Sequence, residues 1–427
     1  MSTNAPCILI YNPISGHGHL DSWNALFVSC LLESGWHVLA LTPDAADLRA
    51  RLKEKGLADA SGLQILDWDV LRRSFVEKVI TRLRKIFSKQ SLPDQSDPEI
   101  NYLSPVEFAR RINKSLKRTN SKPDLVFNMY MDLYKTNQAS WDLFERESIH
   151  KWAGIRFVPN ELPTEAYYKS PRLFGMCFLD ESVCERYKAC LPNKNFSYLP
   201  DITETSLPNQ QSAISKEIIS QAQGRKIVFL GGTIGGGKNL ANWYALIEKA
   251  DPTLWFFVQI GEIHESSLTQ DDVFARDKIK LNFPENLFVH PEYLPDEKTF
   301  NEIMALSDVI FAVYRNFKIS SNMPGKAAAF ERPILVAEKY LMGARVTKYG
   351  IGVAVQEDSV PMMLSGINQL VQPSRQPVLR AGFKAYRNDF SLNAMKKIFL
   401  NFLVAGLASD LGITPGKNTK QKGSFHA

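Results

Sequence analysis

The feature that most constrains the fold of this chain is a regular alternation of short apolar runs with helical patterns, repeated in two halves. In the first half the strand-like runs are CILIYN (7–12), HVLALT (37–42), LQIL (63–66), DLVFNMY (124–130) and IRFVP (155–159). In the second half they are KIVFLGG, LWFFVQIG, NLFVHPEYL, DVIFAVY, RPILVA and GVAV. Strands and helices that alternate in this way form parallel sheets covered by helices. The sequence therefore predicts two α/β domains whose parallel sheets face a cleft.

Composition and charge exclude several classes of protein. The chain has 427 residues, of which 44% are hydrophobic and 22% charged, which excludes a disordered chain, a collagen-like repeat and a heptad rod. The net charge of +6 is too small for a nucleic-acid coat, so we expect no nucleic-acid partner. Five cysteines without a CxxC pair indicate neither a disulfide framework nor a zinc site. No signal-peptide pattern and no long uninterrupted apolar run is visible, so we expect a cytoplasmic protein.

A loop rich in glycine and histidine follows the first predicted strand. It reads Gly16-His17-Gly18-His19, and ligands of parallel sheets bind beyond the carboxyl ends of strands. The glycines allow the backbone to approach a ligand closely, and the histidines have the pKa range for acid–base work or for holding a hydroxyl group. The alternative is a solvent-exposed structural loop.

Two patterns resemble metal sites only weakly. His17 and His19 are alternate residues without a nearby carboxylate, which makes a poor ligand set. Asp67-Trp68-Asp69 has the form of a DxD motif, but directly after a strand it is more often a turn. We therefore predict no metal site.

A second glycine-rich loop, Gly231–Asn239, follows KIVFL and precedes a helical pattern. Five glycines in this position indicate a phosphate cradle, with a flexible turn as the alternative. The spacing from Gly232 to Lys238 fits the G-x-x-x-x-G-K part of a Walker motif. Asn239 stands where that motif requires Ser or Thr for magnesium, so a P-loop NTPase is the weaker interpretation.

Residues 71–90, LRRSFVEKVITRLRKIFSKQ, form a basic amphipathic pattern. Seven Lys and Arg residues stand against Glu77 alone, while the apolar residues fall on one helical face. A helix of this kind indicates peripheral contact with an anionic membrane. The alternative is an ordinary helix that packs on the domain and turns its basic face to water.

Several motifs resemble GT-B glycosyltransferases. The first loop with GWHVLALT resembles the opening of such an enzyme. The second half resembles glycosyltransferase family 4 and its relatives through FLGGTIGGGKN, NLFVHPEYLP, EIMALSDVIFAVYRNFKISSNMPGKAAAFERPILVA and YGIGVAV. FKAYRNDFSLNAMKKIFLNFL resembles the last helices of these enzymes, which cross back to the first domain.

The resemblance implies domain boundaries. We predict an acceptor-binding Rossmann-like domain over 1–205 and a nucleotide-sugar-binding domain over 224–385, separated by a Ser-, Gln- and Pro-rich stretch around 201–224. Residues 386–410 are expected to form the returning helix. The polar tail 411–427 is predicted to be disordered.

The resemblance also implies a function. Such enzymes bind a nucleotide-sugar donor on the second domain and an acceptor mainly on the first, and family 4 transfers the sugar with retention and without a required metal or cofactor. The expected activity is sugar transfer to a glycan or lipid-linked acceptor in bacterial-type surface polysaccharide synthesis, at the inner face of the membrane.

The family's diphosphate-binding residues can be matched one by one. It usually stabilises the leaving diphosphate with an Arg and, five residues later, a Lys; here Thr233 and Lys238 occupy these positions. Lys318 and Lys326 replace two glutamates, the second of which usually binds ribose. These positive replacements could instead face the diphosphate.

The remaining site residues follow from the same comparison. Tyr293 and Leu294 are expected against the base, Ser320 to Asn322 as hydrogen-bond donors to the diphosphate, and His17, His19 and Lys238 as catalytic candidates. The donor site so implied consists of Gly16, Gly18, Gly232, Thr233, Lys238, Tyr293, Leu294, Ser320, Ser321, Asn322 and Lys326. Two alternatives on the same fold are a nucleotide-sugar 2-epimerase and a non-catalytic nucleotide-sugar-binding relative.

Overall fold

The computed structural model describes residues 5–15, 20–67, 103–119, 121–134, 136–294 and 296–408. The chain forms two compact units. The first combines the chain up to Leu199 with the segment from Lys396, and the second is Pro200–Met395. The predictions made for Gly16 to His19, for Trp68 and Asp69, for 71–90 and for the tail from 411 lie outside the described residues.

The first unit is built on a seven-stranded sheet in the order β3-β2-β1-β4-β5-β6-β7, and all its neighbouring strands are parallel. The strands are β1 Cys7–Tyr11, β2 His37–Thr42, β3 Leu63–Asp67, β4 Leu125–Asn128, β5 Trp152–Arg156, β6 Leu173–Phe178 and β7 Asn195–Tyr198. The helices between them are α1 Leu20–Leu32, α2 Ala45–Glu54, α3 Pro105–Thr119, α4 Gln138–Glu147 and α5 Glu181–Cys190. The apolar runs of the central strands are buried, as expected for a parallel sheet covered by helices.

The second unit has a six-stranded parallel sheet in the order β10-β9-β8-β11-β12-β13. The strands are β8 Lys226–Gly231, β9 Trp255–Ile260, β10 Leu287–His290, β11 Val309–Ala312, β12 Ile334–Ala337 and β13 Gly352–Val355. The helices are α6 Ala213–Ala222, α7 Leu240–Lys249, α8 Gln270–Leu281, α9 Glu297–Leu306, α10 Met323–Ala329, α11 Tyr340–Tyr349, α12 Val360–Leu370 and α13 Gln376–Asp389. This strand order is that of a doubly wound dinucleotide-binding sheet.

The last described helix, α14 (Leu392–Ala408), completes the core of the first unit. The ring centroid of Phe399 lies 4.5 Å from that of Phe27 on α1 and 5.0 Å from that of Phe127 on β4. Phe402 and Leu403 are also buried. The chain therefore returns to the first sheet after it has built the second.

The predicted strands agree with the structure except around β5 to β7. β5 begins at Trp152, whereas the predicted strand begins at Ile155. The prediction missed the residues WAG in front of Ile155 because none of them is β-branched. Neither β6 nor β7 is predicted. β6 contains Gly175, where a side chain would collide with the Asn195 carbonyl of β7, and β7 itself is short and partly polar.

Both predicted boundaries of the second domain need correction. The chain from Pro200 already belongs to the second unit, because Ser320 donates to the Asp201 carboxylate at 2.7 Å. The stretch predicted as a separator contains α6. The chain returns to the first unit at Lys396 and not at 386. Tyr386 still belongs to the second unit, where its ring stacks on that of Phe390 with the centroids 4.1 Å apart.

One helical run in the described chain, Pro373–Leu407, is long and apolar enough to cross a membrane. Its most apolar 18-residue window has a mean hydropathy of 1.2, and 33% of that window is buried. The run comprises α13 and α14, and α14 buries Met395, Phe399 and Leu403 completely. A core helix passes the same test of length and composition, so the run is weak evidence for a membrane span.

Candidate functional site

The topology of the second sheet places one pair of loops where a ligand is expected. β8 and β11 are neighbours, and the chain winds outward from them in opposite directions. Ligands of doubly wound sheets bind beyond the carboxyl ends of the strands at this switch point. The loops concerned are Gly231–Asn239, which follows β8, and 313–322, which follows β11.

The glycine-rich loop is shaped by close backbone packing. Gly232 has a φ of +89°, which favours glycine, and Gly261 at the end of β9 has a φ of +131°. A Cβ at Gly261 would lie 2.1 Å from the Gly232 carbonyl oxygen, so no larger residue fits there. The backbones that follow β8 and β9 therefore pack directly against each other, with no side chain between them.

Asn239 ties three loops together through its buried side chain. Its Nδ2 donates to the Val313 carbonyl at 3.2 Å and to the Glu357 carbonyl at 2.5 Å. Its Oδ1 accepts from Arg315 Nη2 at 3.0 Å and from Asn242 Nδ2 at 3.0 Å. The position that would hold magnesium in a Walker motif is thus engaged in holding loops, which argues against the NTPase interpretation.

Lys238 is the cation at the switch point. Its Nζ donates to the Gly231 carbonyl at 3.0 Å and to the Tyr314 hydroxyl at 2.7 Å, and it lies 4.0 Å from the centroid of the Tyr314 ring. Burial lowers the pKa of Lys238 to about 7. Within the described residues no carboxylate forms an ion pair with it. An anionic ligand here would restore the charge that burial disfavours.

Arg315 and Arg345 both have structural partners. Arg315 lies 3.3 Å from the fully buried carboxylate of Asp272 and donates to Thr269 and Asn239. Arg345, only 3% exposed, donates to Ser320 Oγ at 2.8 Å, and its guanidinium lies 4.8 Å from the centroid of a phenylalanine ring. Each arginine therefore fixes a loop at the carboxyl edge of the sheet.

The small-residue turn before α10 is organised by the same contacts. Ser320 Oγ donates to Asp201 and accepts from Arg345, so its hydroxyl is engaged. Ser321 Oγ accepts from the Met323 backbone N–H at 3.3 Å, and its own hydroxyl hydrogen has no acceptor within the described part of the chain. Asn322 is the residue before the first turn of α10.

Lys326, for which a diphosphate contact is predicted, is held by acceptors of the second unit. It is 1% exposed, and its Nζ donates to the Glu204 carbonyl at 3.0 Å, to Glu297 Oε1 at 2.5 Å and to Asn301 Oδ1. These three acceptors use all three ammonium hydrogens. Burial lowers the pKa of Lys326, against the opposing effect of Glu297. In this arrangement Lys326 clamps the segment after β7 onto α9 and α10.

The other predicted donor residues lie in the loops that follow β8, β10 and β11. Thr233 and Tyr293 are exposed, Tyr293 by 59%, and Leu294 is partly exposed. The exposed Lys318 lies 5.7 Å from the ring of Tyr340.

The first unit carries a polar cluster at the carboxyl end of β5. Arg156 donates to Glu165, to the Tyr167 hydroxyl at 2.7 Å and to Asp132 at 3.3 Å. Asp132 also accepts from the Phe157 backbone N–H at 2.7 Å. The cluster fixes the loop after β5, and the sequence patterns did not single it out.

Solved structures share this architecture. An α,α-trehalose-phosphate synthase (UDP-forming) from Burkholderia vietnamiensis matches with a TM-score of 0.63 at 12% identity, over 96% of this chain and 100% of that chain. A glycosyltransferase from Rickettsia africae matches with a TM-score of 0.61 at 12% identity, over 95% and 99%. HepE of Anabaena, in complex with UDP and glucose, matches with a TM-score of 0.58 at 8% identity, over 94% and 100%.

The chain has the GT-B fold. This confirms the predicted fold class. No protein-family model and no curated protein matches the sequence, so the relation to family 4 stays a prediction.

Within the GT-B fold, the structure adds residues that the motifs did not indicate. Tyr314 contacts Lys238, and Glu297 contacts Lys326. Tyr314 could have been found from its place just after β11, since this strand borders the switch point. Glu297 had no signal beyond its place at the start of α9. No group of three or more His, Cys, Asp or Glu side chains in the described ranges could hold a metal ion.

Proposed function

We propose that the chain is a glycosyltransferase that moves a sugar from a nucleoside-diphosphate sugar to a hydroxyl group of a glycan or lipid-linked acceptor. The observation that carries this proposal is Lys238, a partly buried cation on a glycine-rich loop at the switch point. Sugar transfer leaves a negatively charged diphosphate, and a positioned cation stabilises that charge as it develops.

The comparisons support a nucleotide-sugar donor. HepE of Anabaena is described in complex with UDP and glucose, and an E. coli protein of the same fold is described bound with UDP-2-fluoro glucose. By analogy of fold we propose that the second unit binds such a donor and that the first binds the acceptor. His17 and His19 are proposed to position the acceptor hydroxyl or to act as its base.

A thermal-shift screen tests the proposed donor class. UDP, GDP, ADP, CDP and their common sugar conjugates would be added to the full-length protein. We expect one nucleotide to raise the melting temperature, because a ligand that binds only the folded state stabilises it. Lys238→Ala should abolish the shift, whereas Lys249→Ala, an exposed lysine at the end of α7, should keep it. Absence of any shift in folded protein would contradict the proposal.

The chemistry is proposed to be retaining and independent of a metal cofactor. Activity that survives EDTA and a product with the donor's anomeric configuration, read by NMR, would support it. A non-catalytic nucleotide-sugar-binding relative is the second candidate, because Lys326 replaces a family glutamate and is fully engaged inside the protein. Nucleotide binding without transfer to any acceptor would favour it.

The membrane location is proposed from the sequence of 71–90. We propose peripheral binding at the inner face of the cell membrane, where a lipid-linked acceptor in surface polysaccharide synthesis would be met. Replacing Arg72, Arg73, Arg82 and Arg84 with Glu should release the protein from anionic liposomes in a sedimentation assay. Added salt should do the same, and unchanged partitioning would refute the location.

A further inference from the structure

Tyr314 is a buried tyrosine that contacts Lys238 in two ways. Its hydroxyl oxygen accepts from Lys238 Nζ at 2.7 Å, and the centroid of its ring lies 4.0 Å from the same atom. The side chain of Tyr314 is 2% exposed, and the ring of Phe317 packs against it edge to face with the centroids 5.3 Å apart. The ammonium group is therefore held by a side chain that is itself held by packing.

The backbone on both sides of Tyr314 is bonded to the glycine-rich loop. The Val313 carbonyl, one residue earlier, accepts from Asn239 Nδ2 at 3.2 Å. The Arg315 backbone N–H, one residue later, donates to the Gly237 carbonyl at 2.8 Å. Tyr314 is thus anchored through its neighbours to the loop that carries the lysine.

The hydroxyl group of Tyr314 carries a hydrogen that the described chain does not use. Its oxygen accepts from the ammonium group, and its O–H hydrogen has no acceptor among the described residues. Burial raises the pKa of Tyr314, so the hydroxyl group keeps this hydrogen at neutral pH. A buried hydroxyl group without an acceptor is uncommon in proteins. A Cβ at Gly232 would lie 3.6 Å from Lys238 Nζ, so the glycine keeps side-chain atoms away from that side of the ammonium group.

The charged groups on the loops around this pair are engaged elsewhere. Arg315 lies against the carboxylate of Asp272. Glu357, after β13, accepts from the Asn316 backbone N–H at 2.9 Å. Burial lowers the pKa of Lys238, and no charged side chain of the described residues contributes to the shift. An anion beside the pair would supply the missing counter-charge and could accept one hydrogen bond from each group.

We infer that Tyr314 binds the diphosphate of the donor together with Lys238: its hydroxyl oxygen holds the ammonium group, and its hydroxyl hydrogen is donated to an oxygen of the same diphosphate. This inference rests on the proposed function and deepens it. It adds a neutral donor from the loop after β11 to the cation on the loop after β8. Tyr314 is thus a binding residue and, through Lys238, a positioning residue.

The substitution Tyr314→Phe tests the inference because it removes the hydroxyl group and keeps the ring. The nucleoside diphosphate with the largest thermal shift among UDP, GDP, ADP and CDP would be titrated calorimetrically into the full-length protein at pH 6, 7 and 8. We expect the variant to bind about tenfold more weakly already at pH 6, because a hydrogen bond to a charged group is lost. Tyr349→Phe, which loses a hydroxyl bond to Asp389 at the end of α11, should bind like the wild type.

The pH dependence separates the hold on Lys238 from a general loss of structure. A hydrogen bond that an ammonium group donates favours its charged form, so its removal lowers the pKa of Lys238 further. With that pKa lower by about one unit, the ratio of wild-type to variant affinity should grow about fivefold from pH 6 to pH 8. Ionisation of the nucleotide affects both proteins alike and cancels in this ratio. In a Lys238→Arg background the ratio should stay constant, because arginine remains charged.

The outcomes distinguish this inference from the proposed function. If Tyr314→Phe binds the nucleotide as the wild type does at all three pH values, the inference is wrong while nucleotide binding stands. A loss of the same size at every pH would contradict the hold on the ammonium group. If no nucleoside diphosphate binds the wild-type protein, the proposed function and the inference both fail. Circular dichroism verifies that each variant is folded.

Discussion

At the scale of single residues, the candidate site contains one cation, Lys238, that pairs with no carboxylate among the described residues. Lys238 contacts a carbonyl group, a hydroxyl group and an aromatic ring, and burial lowers its pKa to about 7. The pKa of a lysine side chain in water is about 10.4. The free protein therefore holds a cation that is only partly protonated at neutral pH, and an arriving diphosphate would complete its protonation.

This placement predicts a pH dependence of nucleotide binding. Because the lowered pKa leaves Lys238 charged below about pH 7 and neutral above it, affinity for a nucleoside diphosphate should fall as the pH rises from 7 to 9. The terminal phosphate, with a pKa of about 6, is already ionised over that range. Calorimetric titration at several pH values measures the slope.

Lys238→Arg is the control for this slope. Arginine stays charged throughout the range, so any binding that this variant retains should vary little with pH. A slope that is the same in the arginine variant would assign the titration to another group.

In the catalysed reaction, Lys238→Ala should lower kcat/KM by a factor that corresponds to the loss of about 2–4 kcal/mol of transition-state stabilisation.

At the scale of helices and strands, sequence patterns predicted what depends on local periodicity. All six strands of the second sheet and the first four of the first sheet follow from apolar runs. β6 and β7 were not predicted: β6 is an apolar run, LFGMCF, that was not singled out, and β7, NFSY, is too short and too polar to stand out. The partners of Lys326 were not predicted either, since its lysine identity suggested a ligand contact until the structure showed acceptors from distant elements around it.

The last helix provides a prediction at this scale. Phe399 on α14 is fully buried between Phe27 and Phe127 of the first unit. Phe399→Ala should lower the free energy of unfolding of that unit by about 3–5 kcal/mol, because it removes aromatic contacts and leaves a cavity. Urea denaturation followed by fluorescence measures the change. Val404→Ala, on the exposed side of the same helix, should cost less than about 1 kcal/mol, and equal losses would contradict the assigned packing.

At the scale of the whole molecule, the two units should respond differently to a nucleotide. Apart from Gly16 and Gly18, which lie outside the described residues, the predicted donor contacts belong to the second unit, Pro200–Met395. A ligand at 100 times its dissociation constant adds about 2.7 kcal/mol to the stability of the unit that binds it. Calorimetric scanning with the nucleotide should therefore raise the transition of the second unit, identified with a fragment of residues 200–395, and leave the first nearly unchanged. An equal rise in both transitions would place the ligand on both units.

The fold as a whole was predictable, whereas the division of the chain was only partly so. The strand–helix rhythm and the motifs of the second half indicated two α/β units and their fold class. The boundaries differ because residues such as Asp201 and Tyr386 bind to the second unit through hydrogen bonds and ring contacts that composition does not reveal. At the site, sequence spacing identified the glycine-rich loop and Lys238, but not the burial that lowers the pKa of Lys238.

The position of α14 determines the order in which the chain can finish folding during synthesis. The second unit is one continuous stretch, so all its residues leave the ribosome before those of α14 beyond Met395. The first unit begins earlier but lacks Phe399, Phe402 and Leu403 until that helix has emerged. Although domains commonly complete their folding from the N-terminus onward, here the N-terminal sheet must wait, with part of its core open to solvent, until the second unit has been made.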